Sequence, residues 1–451
     1  MAAFTEKIRF ARRFDGDVRK DPDQPAIILI ERRPAIITSS EPAGLKLSSY
    51  IWGFQNLSIF LAAIGLGTAA GQMAIVLVYC VYMIYLFAIS NLRQNVQRDL
   101  GNRSIMNRFG LASRLGVLLL IWAALSIVWT PSRSVVAIYY MAYLVQVAIS
   151  YMLCKLYPIR DVFHRFCLGM GYATAASTPL TLLLSGSGSA HMGDISDKLT
   201  LFAVIAWGDC LGIMAVMYLM WERSISKRRA TLLTASLLAG LYLTFGKTEI
   251  IALALTGVIY VLLAPGTSRR RVARILFILA GIGLGWIATA SKIDKYMGDS
   301  GSAATLSGRL ILWTQTFAQI INGPYIRGFG FYAFQEIGPN PWRNPSGIVH
   351  AHNEFLQVWF NFGLIGVALV FGSYFALGLT SLKALKQKER FIPTLILSAV
   401  VFCLIRGLAE ANVSLCLLPI QWLFLFDCLL NTPARKMVWE TVPERLLAER
   451  L

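Results

Sequence analysis

Charge is what this sequence has least of. Only 15% of its 451 residues are Asp, Glu, Lys or Arg, against 56% hydrophobic, with a mean hydropathy of +0.59. That balance excludes two or three ordinary soluble domains, which the length alone would allow. Cysteine is sparse and scattered. Cys80, Cys154, Cys167, Cys210, Cys403, Cys416 and Cys428 fall in or beside apolar segments without paired spacing, so neither a zinc site nor a disulfide framework is indicated. There is no P-loop: Gly246-Lys247-Thr248 has Leu241 where the first glycine would stand, and no strand precedes it. No internal repeat is present. The first apolar span begins near Tyr50, behind a long charged tail, which is not the layout of a cleavable signal peptide.

What remains is apolar helix in quantity. Runs long enough to cross about 30 Å of hydrocarbon recur at roughly 48–68, 72–90, 111–129, 134–153, 163–184, 199–221, 230–245, 249–264, 272–290, 359–380, 391–409 and 413–430. The expectation is an all-α polytopic membrane protein with about 12 transmembrane helices, organised as a basic tail (1–46), a membrane domain (47–430) and a short tail (431–451). The net charge of +18 is then read as basic loops kept in the cytoplasm rather than as nucleic-acid binding. Placing both termini in the cytoplasm leaves nine of the 42 lysines and arginines outside or in the membrane. They are Arg133, Lys198, Lys247, Lys292, Lys295, Arg309, Arg327, Arg343 and Arg406. Topology does not account for these nine, so they ask for another explanation.

The outer loops are short except one. Residues 291–354 form a long extracytoplasmic loop, and loops of that size inside a compact fold usually carry function. Leu306, Leu310, Trp313, Phe317 and Ile320 recur at helical spacing, Ser307 is a plausible N-cap, and Asn322-Gly323-Pro324 stops the pattern. An amphipathic helix on the membrane surface is expected there, with Arg309 in its first turn. Beyond it lie aromatic residues, Phe329, Phe331, Tyr332, Phe334 and Trp342, suited either to stacking on sugars or to anchoring at the interface.

Charged groups in or beside membrane spans are costly, so Lys198, Lys247, Arg309, Arg327 and Arg406 on one side suggest a shared anionic ligand, with diphosphate the natural candidate. The alternative is that each snorkels or pairs with a carboxylate such as Asp194, Asp197, Glu249, Glu336 or Glu410. His350 and His352, in His350-Ala351-His352-Asn353-Glu354, sit close to these cations, and imidazole suits proton transfer from a hydroxyl nucleophile. Structural hydrogen bonding competes with that reading. A metal site is disfavoured because two histidines with Glu354 lack a helical i, i+4 pairing. His164 and His191 have no further support. Asp209, deep in an apolar helix, calls for a partner such as an inter-helix hydrogen bond, or for a function.

Taken together, Ser307-Gly308-Arg309 with Trp313, the Pro324–Phe334 segment with Gly328 and Gly330, and His350-Ala351-His352-Asn353-Glu354-Phe355-Leu356 followed by Phe362-Gly363-Leu364-Ile365-Gly366 resemble the O-antigen ligase and polymerase superfamily. Within it they look most like the exopolysaccharide polymerase branch. Gly193–Lys198 and Gly246-Lys247-Thr248 are weaker matches, with Asp197, Leu199 and Gly246 departing from the pattern. The resemblance covers about residues 190–410. It implies a GT-C-like, inverting, metal-independent glycosyltransferase without cofactor in the bacterial inner membrane. Its partners would be an undecaprenyl-diphosphate-linked oligosaccharide, the growing polysaccharide chain and membrane lipids, together with a chain-length regulator and a flippase of the same pathway. His352 would be the base with Arg309 beside it, Lys198, Lys247, Arg309, Arg327 and Arg406 would hold diphosphate, and His350, Asn353, Glu354 and Glu410 would support them. Polymerase and ligase both fit. A transporter is less compatible with chemistry gathered in an outer loop, and a non-catalytic scaffold leaves the outward cations unexplained.

Overall fold

A computed structural model describes residues 45–53, 77–89, 109–131, 133–186, 195–244, 247–263, 272, 275, 309–340, 350–387, 389–410 and 418–432. Among these residues the regular structure is entirely helical. After helical stretches at 45–53 and 77–89 come α1 (Leu111–Ser126), α2 (Arg133–Leu156), α3 (Ile159–Gly186), α4 (Ile195–Trp221), α5 (Lys227–Thr244) and α6 (Lys247–Leu263). They are followed by α7 (Arg309–Ile321), the short α8 (Phe334–Ile337), α9 (Glu354–Ala384), α10 (Phe391–Gly407) and α11 (Leu418–Asn431). By length and composition, α9 is the one described helix apolar enough to cross a membrane alone, while shorter apolar stretches occupy α1, α10 and parts of α2, α4, α6 and α11. Nearly all of the expected span at 272–290, and most of that at 48–68 and of the expected tails at 1–46 and 431–451, lie outside the described residues.

The helices associate as a bundle in which α9 packs on α1, α10 and α11, α3 on α4 and α5, α4 on α5, and α10 on α6. Aromatic residues mesh between them, as in the Phe163, Phe166, Tyr218, Trp422 and Phe426 group. Tertiary contacts also cap helix ends. No side chain of its own caps α1, and Asp427 of α11 supplies the missing acceptor: its Oδ2 accepts the Ser113 N–H at 3.0 Å. A carboxylate at a helix N-terminus is favoured by the orphan N–H groups and by the helix dipole.

Two sets of helix ends meet separately. At one, Arg160 makes a two-oxygen contact with Glu389 (2.8 and 2.9 Å), and Trp221 stacks on Phe391 with centroids 4.7 Å apart. At the other, the starts of α6, α7 and α9 converge on the end of α10 through Glu249, Arg309, His352, Arg406 and Glu410.

The long helix α9 starts at Glu354, five residues before the expected span, and it is broken at Gly363 (φ 68°, ψ −169°). A break orphans backbone groups, and in a hydrocarbon environment each must find another partner. Here the carbonyls of Phe360, Asn361 and Phe362 accept from Phe329 N (2.8 Å), Gly330 N (2.8 Å) and Trp122 Nε1 (2.9 Å). On the other side, Leu364 N and Ile365 N donate to Tyr325 O (3.0 Å) and Ile326 O (3.4 Å). The Tyr325–Gly330 segment therefore plugs the break. Only residues without a Cβ allow so close an approach: one added at Gly363 would run into Ile326 O, and one at Gly328 (φ 75°) into Gly363 N. Gly363→Ala combines a left-handed backbone with that collision and should cost roughly 4 kcal/mol or more. A melting curve of the purified variant in detergent, showing a much lower transition than wild type, checks this.

Within the long loop, residues 291–308 and 341–349, including Ser307, Trp342 and Arg343, lie outside the described residues. The expected helix is present as α7, but with a different inward face. Leu312, Thr316 and Ile320 are buried, whereas Leu310 and Phe317 of the expected stripe are exposed. The reason is a small second core of Leu312, Ile320, Ala333, Phe334, Ala351 and Phe360, which ties α7 to the plug and to α9. Apolar residues on both faces misled the periodicity. The aromatic residues of the plug and of the stretch that follows it to Phe334 belong to the packing rather than to an open sugar platform. Phe329 stacks on Phe360 (4.5 Å), Phe331 on Phe362 (5.8 Å), and Phe334 meets Phe360 edge-on (5.0 Å).

Candidate active site

The site is built on the turn that ends α10, Arg406-Gly407-Leu408-Ala409-Glu410. A helix C-terminus leaves carbonyls without intrahelical partners, and two of those here are used by groups from the long loop. Leu408 O accepts from Asn353 Nδ2 (3.0 Å) and Ala409 O from Arg309 Nη1 (2.7 Å). Glu410, anchored by its own N–H to Arg406 O (2.9 Å), turns its carboxylate inward, where Oε1 accepts from Arg309 Nη2 at 2.6 Å. Its Oε2 lies 3.0 Å from His352 Nδ1 and 3.9 Å from His350 Nε2.

The histidine segment is held just as closely. Trp313 Nε1 donates to Ala351 O (2.9 Å), and the Ala351 N–H donates to Gln357 Oε1 (2.7 Å). Asn353 caps α9 by accepting the Leu356 N–H (3.0 Å). The His352 N–H donates to His350 Nδ1 (3.1 Å), so that nitrogen is an acceptor and the proton of neutral His350 sits on Nε2, on the Glu410 side. His352 itself is held in the left-handed region, φ 49°, a conformation that costs a side-chain-bearing residue roughly 1 kcal/mol or more. Its neighbours hold it there: His350 through its backbone, Asn353 through the α9 cap and Glu410 through its ring.

The two imidazoles, 4.0 Å apart, are not equivalent. The His350 side chain is 2% exposed and that of His352 29%. Burial, aided by the neighbouring His352, pushes His350 well below the usual imidazole range, so at neutral pH it is an uncharged structural partner. Burial alone would raise Glu410. The hydrogen bond from His352 and the Arg309 guanidinium outweigh it and hold the carboxyl well below its ordinary range. Glu410 is thus an anion that orients His352 through Nδ1, leaving Nε2 to exchange a proton. Among the described residues Nε2 has no hydrogen-bond partner.

His350, His352 and Glu410 place three donor atoms within 4.8 Å of one another, a spacing that could hold a metal ion. The donor chemistry fits poorly. Glu410 already carries a guanidinium at 2.6 Å, which would repel a divalent cation, and His350 presents its protonated nitrogen to the carboxylate.

Of the residues singled out in the sequence, Arg309, His350, His352, Asn353 and Glu410 come together. Lys198 and Lys247 lie in the first turns of α4 and α6, with side chains outside the described set. Arg327 is exposed and stands over the Trp129 ring, 5.4 Å from its centroid. Glu354 is buried in the first turn of α9 rather than at the loop's edge. Arg406 is buried, its side chain 4% exposed, and its Nε donates to Glu249 Oε1 at 3.0 Å, the carboxylate pairing that stood as the alternative to a ligand contact. The partner expected for Asp209 is missing. It is buried, and neither carboxylate oxygen has a hydrogen-bond partner among the described residues. Sequence reasoning overlooked Gln357 and the carbonyls of Leu408 and Ala409. Gln357, one turn after the Asn353 cap, carried a weak positional signal, whereas a backbone carbonyl carries none.

No curated protein matches this chain. A family model does: residues 230–371 match the O-antigen ligase family, a stretch running from α5 into α9. It includes Lys247, Arg309 and both histidines of the site and stops short of Arg406 and Glu410. This part of the chain, carrying the histidine segment and its arginine, is similar to the O-antigen ligase family.

Proposed function

We propose that this protein is a membrane glycosyltransferase that polymerises undecaprenyl-diphosphate-linked oligosaccharide repeats at the outer face of the bacterial inner membrane. The single observation that carries the reading is the Glu410 carboxylate shared by His352 and Arg309, which puts a proton acceptor and a cation side by side. His352 Nε2 takes the proton of an acceptor sugar hydroxyl as its oxygen attacks the anomeric carbon. The bond from that carbon to the diphosphate oxygen breaks with inversion, and the negative charge leaves on the lipid diphosphate. A guanidinium has five N–H donors, so Arg309 keeps some for phosphate beyond those used on Ala409 O and Glu410. Lys247 and Lys198, opening their helices, and Arg327 would complete the anion site, and no metal is needed.

In this reading the chain makes twelve crossings with both termini cytoplasmic, a cytoplasmic tail at 1–46, a membrane domain over 47–430 and a tail at 431–451, and two pairings agree with its orientation. Cytoplasmic termini place the loops holding Arg160 and Glu389 on the cytoplasmic side, where these two meet each other, and Arg309, His352 and Glu410 outside, where they also meet each other. Segment 364–384 of α9, beyond the break, still suffices for about 30 Å of hydrocarbon.

The polymerase of an exopolysaccharide-like branch is preferred because Lys198 and Lys247 resemble that group's paired lysine motifs. The ligase reading, transfer of glycan to a lipid A core, has the description of the matching family in its favour. Incubating the purified, reconstituted protein with a lipid-linked repeat unit, with and without lipid A core, separates the two. A ladder of lengthened lipid-linked chains without core is the expected result. Transfer that occurs only when core is present makes the enzyme a ligase, and no product in either arm refutes glycosyl transfer.

A further inference from the structure

Arg406 and Glu249 are the most deeply enclosed ion pair among the described residues, with side chains 4% and 3% exposed and Nε to Oε1 at 3.0 Å. Both lie in helices read as crossing the membrane. A charge pair there is costly to enclose, and well-packed apolar residues of similar size commonly do as well or better for stability alone. Stability is therefore a weak reason for this pair to exist. Its connections supply a stronger one.

Each partner stands next to the site by a different route. Glu249 lies in the first turn of α6, two residues after Lys247, where a carboxylate also complements the helix dipole. Its backbone carbonyl accepts the Cys210 thiol of α4 at 3.8 Å, so α4 touches the same turn. Arg406 is in the last turn of α10, and its carbonyl accepts the Glu410 N–H at 2.9 Å. Two and three residues beyond Arg406, the carbonyls of Leu408 and Ala409 hold Asn353 and Arg309. One short turn thus reaches the histidine segment through Glu410 and Leu408, the arginine through Ala409 and Glu410, and α6 through the Arg406 side chain.

We propose that the Arg406–Glu249 pair is a positioning device that sets the start of α6, and with it Lys247, in register with the Glu410–His352–Arg309 group. The proposal rests on the reading that Lys247 serves the donor diphosphate. Apolar packing between α6 and α10 permits sliding and rotation by small increments. A directional ion pair between one residue of each helix permits one register. The pair acts through Lys247 and the Glu410 turn and does not itself touch substrate. Its loss therefore weakens donor use before it affects the chemical step.

The test is initial-rate kinetics of full-length protein in liposomes, varying a lipid-linked repeat-unit donor, with thermal unfolding measured in parallel. Glu249→Gln is expected to raise the donor KM about tenfold with kcat within about twofold. The exchanged pair, Glu249→Arg with Arg406→Glu, is expected to bring KM back to within about threefold of wild type. If Glu249→Gln leaves KM unchanged while Arg406→Lys raises it, Arg406 meets the donor directly and the proposal falls. It falls equally if the exchanged pair is folded yet no better than the single variants. Should the single variants not fold, Glu249→Leu with Arg406→Met replaces the buried charges by apolar bulk. A raised donor KM in that stable double variant supports positioning, and a wild-type KM reduces the pair to structure and overturns the proposal. Lys247→Ala separates the two levels of inference. An unchanged donor KM in that variant refutes the role of Lys247, whereas a raised KM there with wild-type KM in Glu249→Gln and in Glu249→Leu with Arg406→Met refutes only the positioning pair.

Discussion

His352→Ala will reduce chain elongation about 10²- to 10⁴-fold while leaving the protein folded and its donor KM close to wild type. The size follows from the range that a positioned general base contributes to proton transfer. The sparing of the fold follows from geometry. The backbone N–H of residue 352 still donates to His350 Nδ1, and Asn353 still caps α9, so alanine removes the ring without dismantling the segment. Reconstituted membranes with a lipid-linked repeat unit provide the measurement. Elongation at wild-type rate in His352→Ala would show that the base lies elsewhere, and His350 would not be its replacement, being buried and already committed through Nδ1.

Glu410→Gln is the second large effect, about a hundredfold or more in kcat, by a different route. The amide keeps the shape of the carboxylate but offers one acceptor oxygen where two are now used, one by Arg309 and one by His352. One of those partners loses its acceptor, and the buried site keeps a guanidinium without its counter-charge, a costly state in low dielectric. Glu410→Asp, which restores the charge on a shorter arm, should recover part of the activity. A stability measurement against pH gives an independent reading. The folded-state carboxyl lies below its ordinary range, so its stabilising contribution is present above about pH 4, the unfolded value, and disappears as pH falls further. The wild type should therefore lose stability on acidification more steeply than Glu410→Gln, and parallel curves would contradict the anionic assignment.

Much of the site's composition was legible because its residues violate the composition around them. In a chain where charge is rare, cations that topology does not account for are conspicuous, and Arg309 stood out for that reason. The same argument left Arg406 between two readings, since a membrane arginine attracted to a ligand and one attracted to a buried carboxylate look identical in sequence. Glu249 and Arg406 are more than 150 residues apart, and no local pattern pairs them. The aromatic residues from Phe329 to Phe334 illustrate the same limit. Their spacing is compatible with a sugar platform, yet Phe329, Phe331 and Phe334 are turned onto Phe360 and Phe362.

By itself the sequence determined the helical class, the scarcity of polar chemistry and the two segments, around Arg309 and around His352, in which that chemistry concentrates. Those are properties of short stretches, set by side-chain transfer energies, helical period and cap residues, and they can be read without knowing what lies opposite. The tertiary structure decided which groups meet. It brought Glu410 to both segments, turned Arg406 inward to Glu249, and filled the break at Gly363 with the Tyr325–Gly330 backbone. Each of these is the satisfaction of an orphaned charge or backbone group by a partner distant in the chain. Such groups make it certain that a partner is needed, and only the packing of α6, α7, α9 and α10 selects which one.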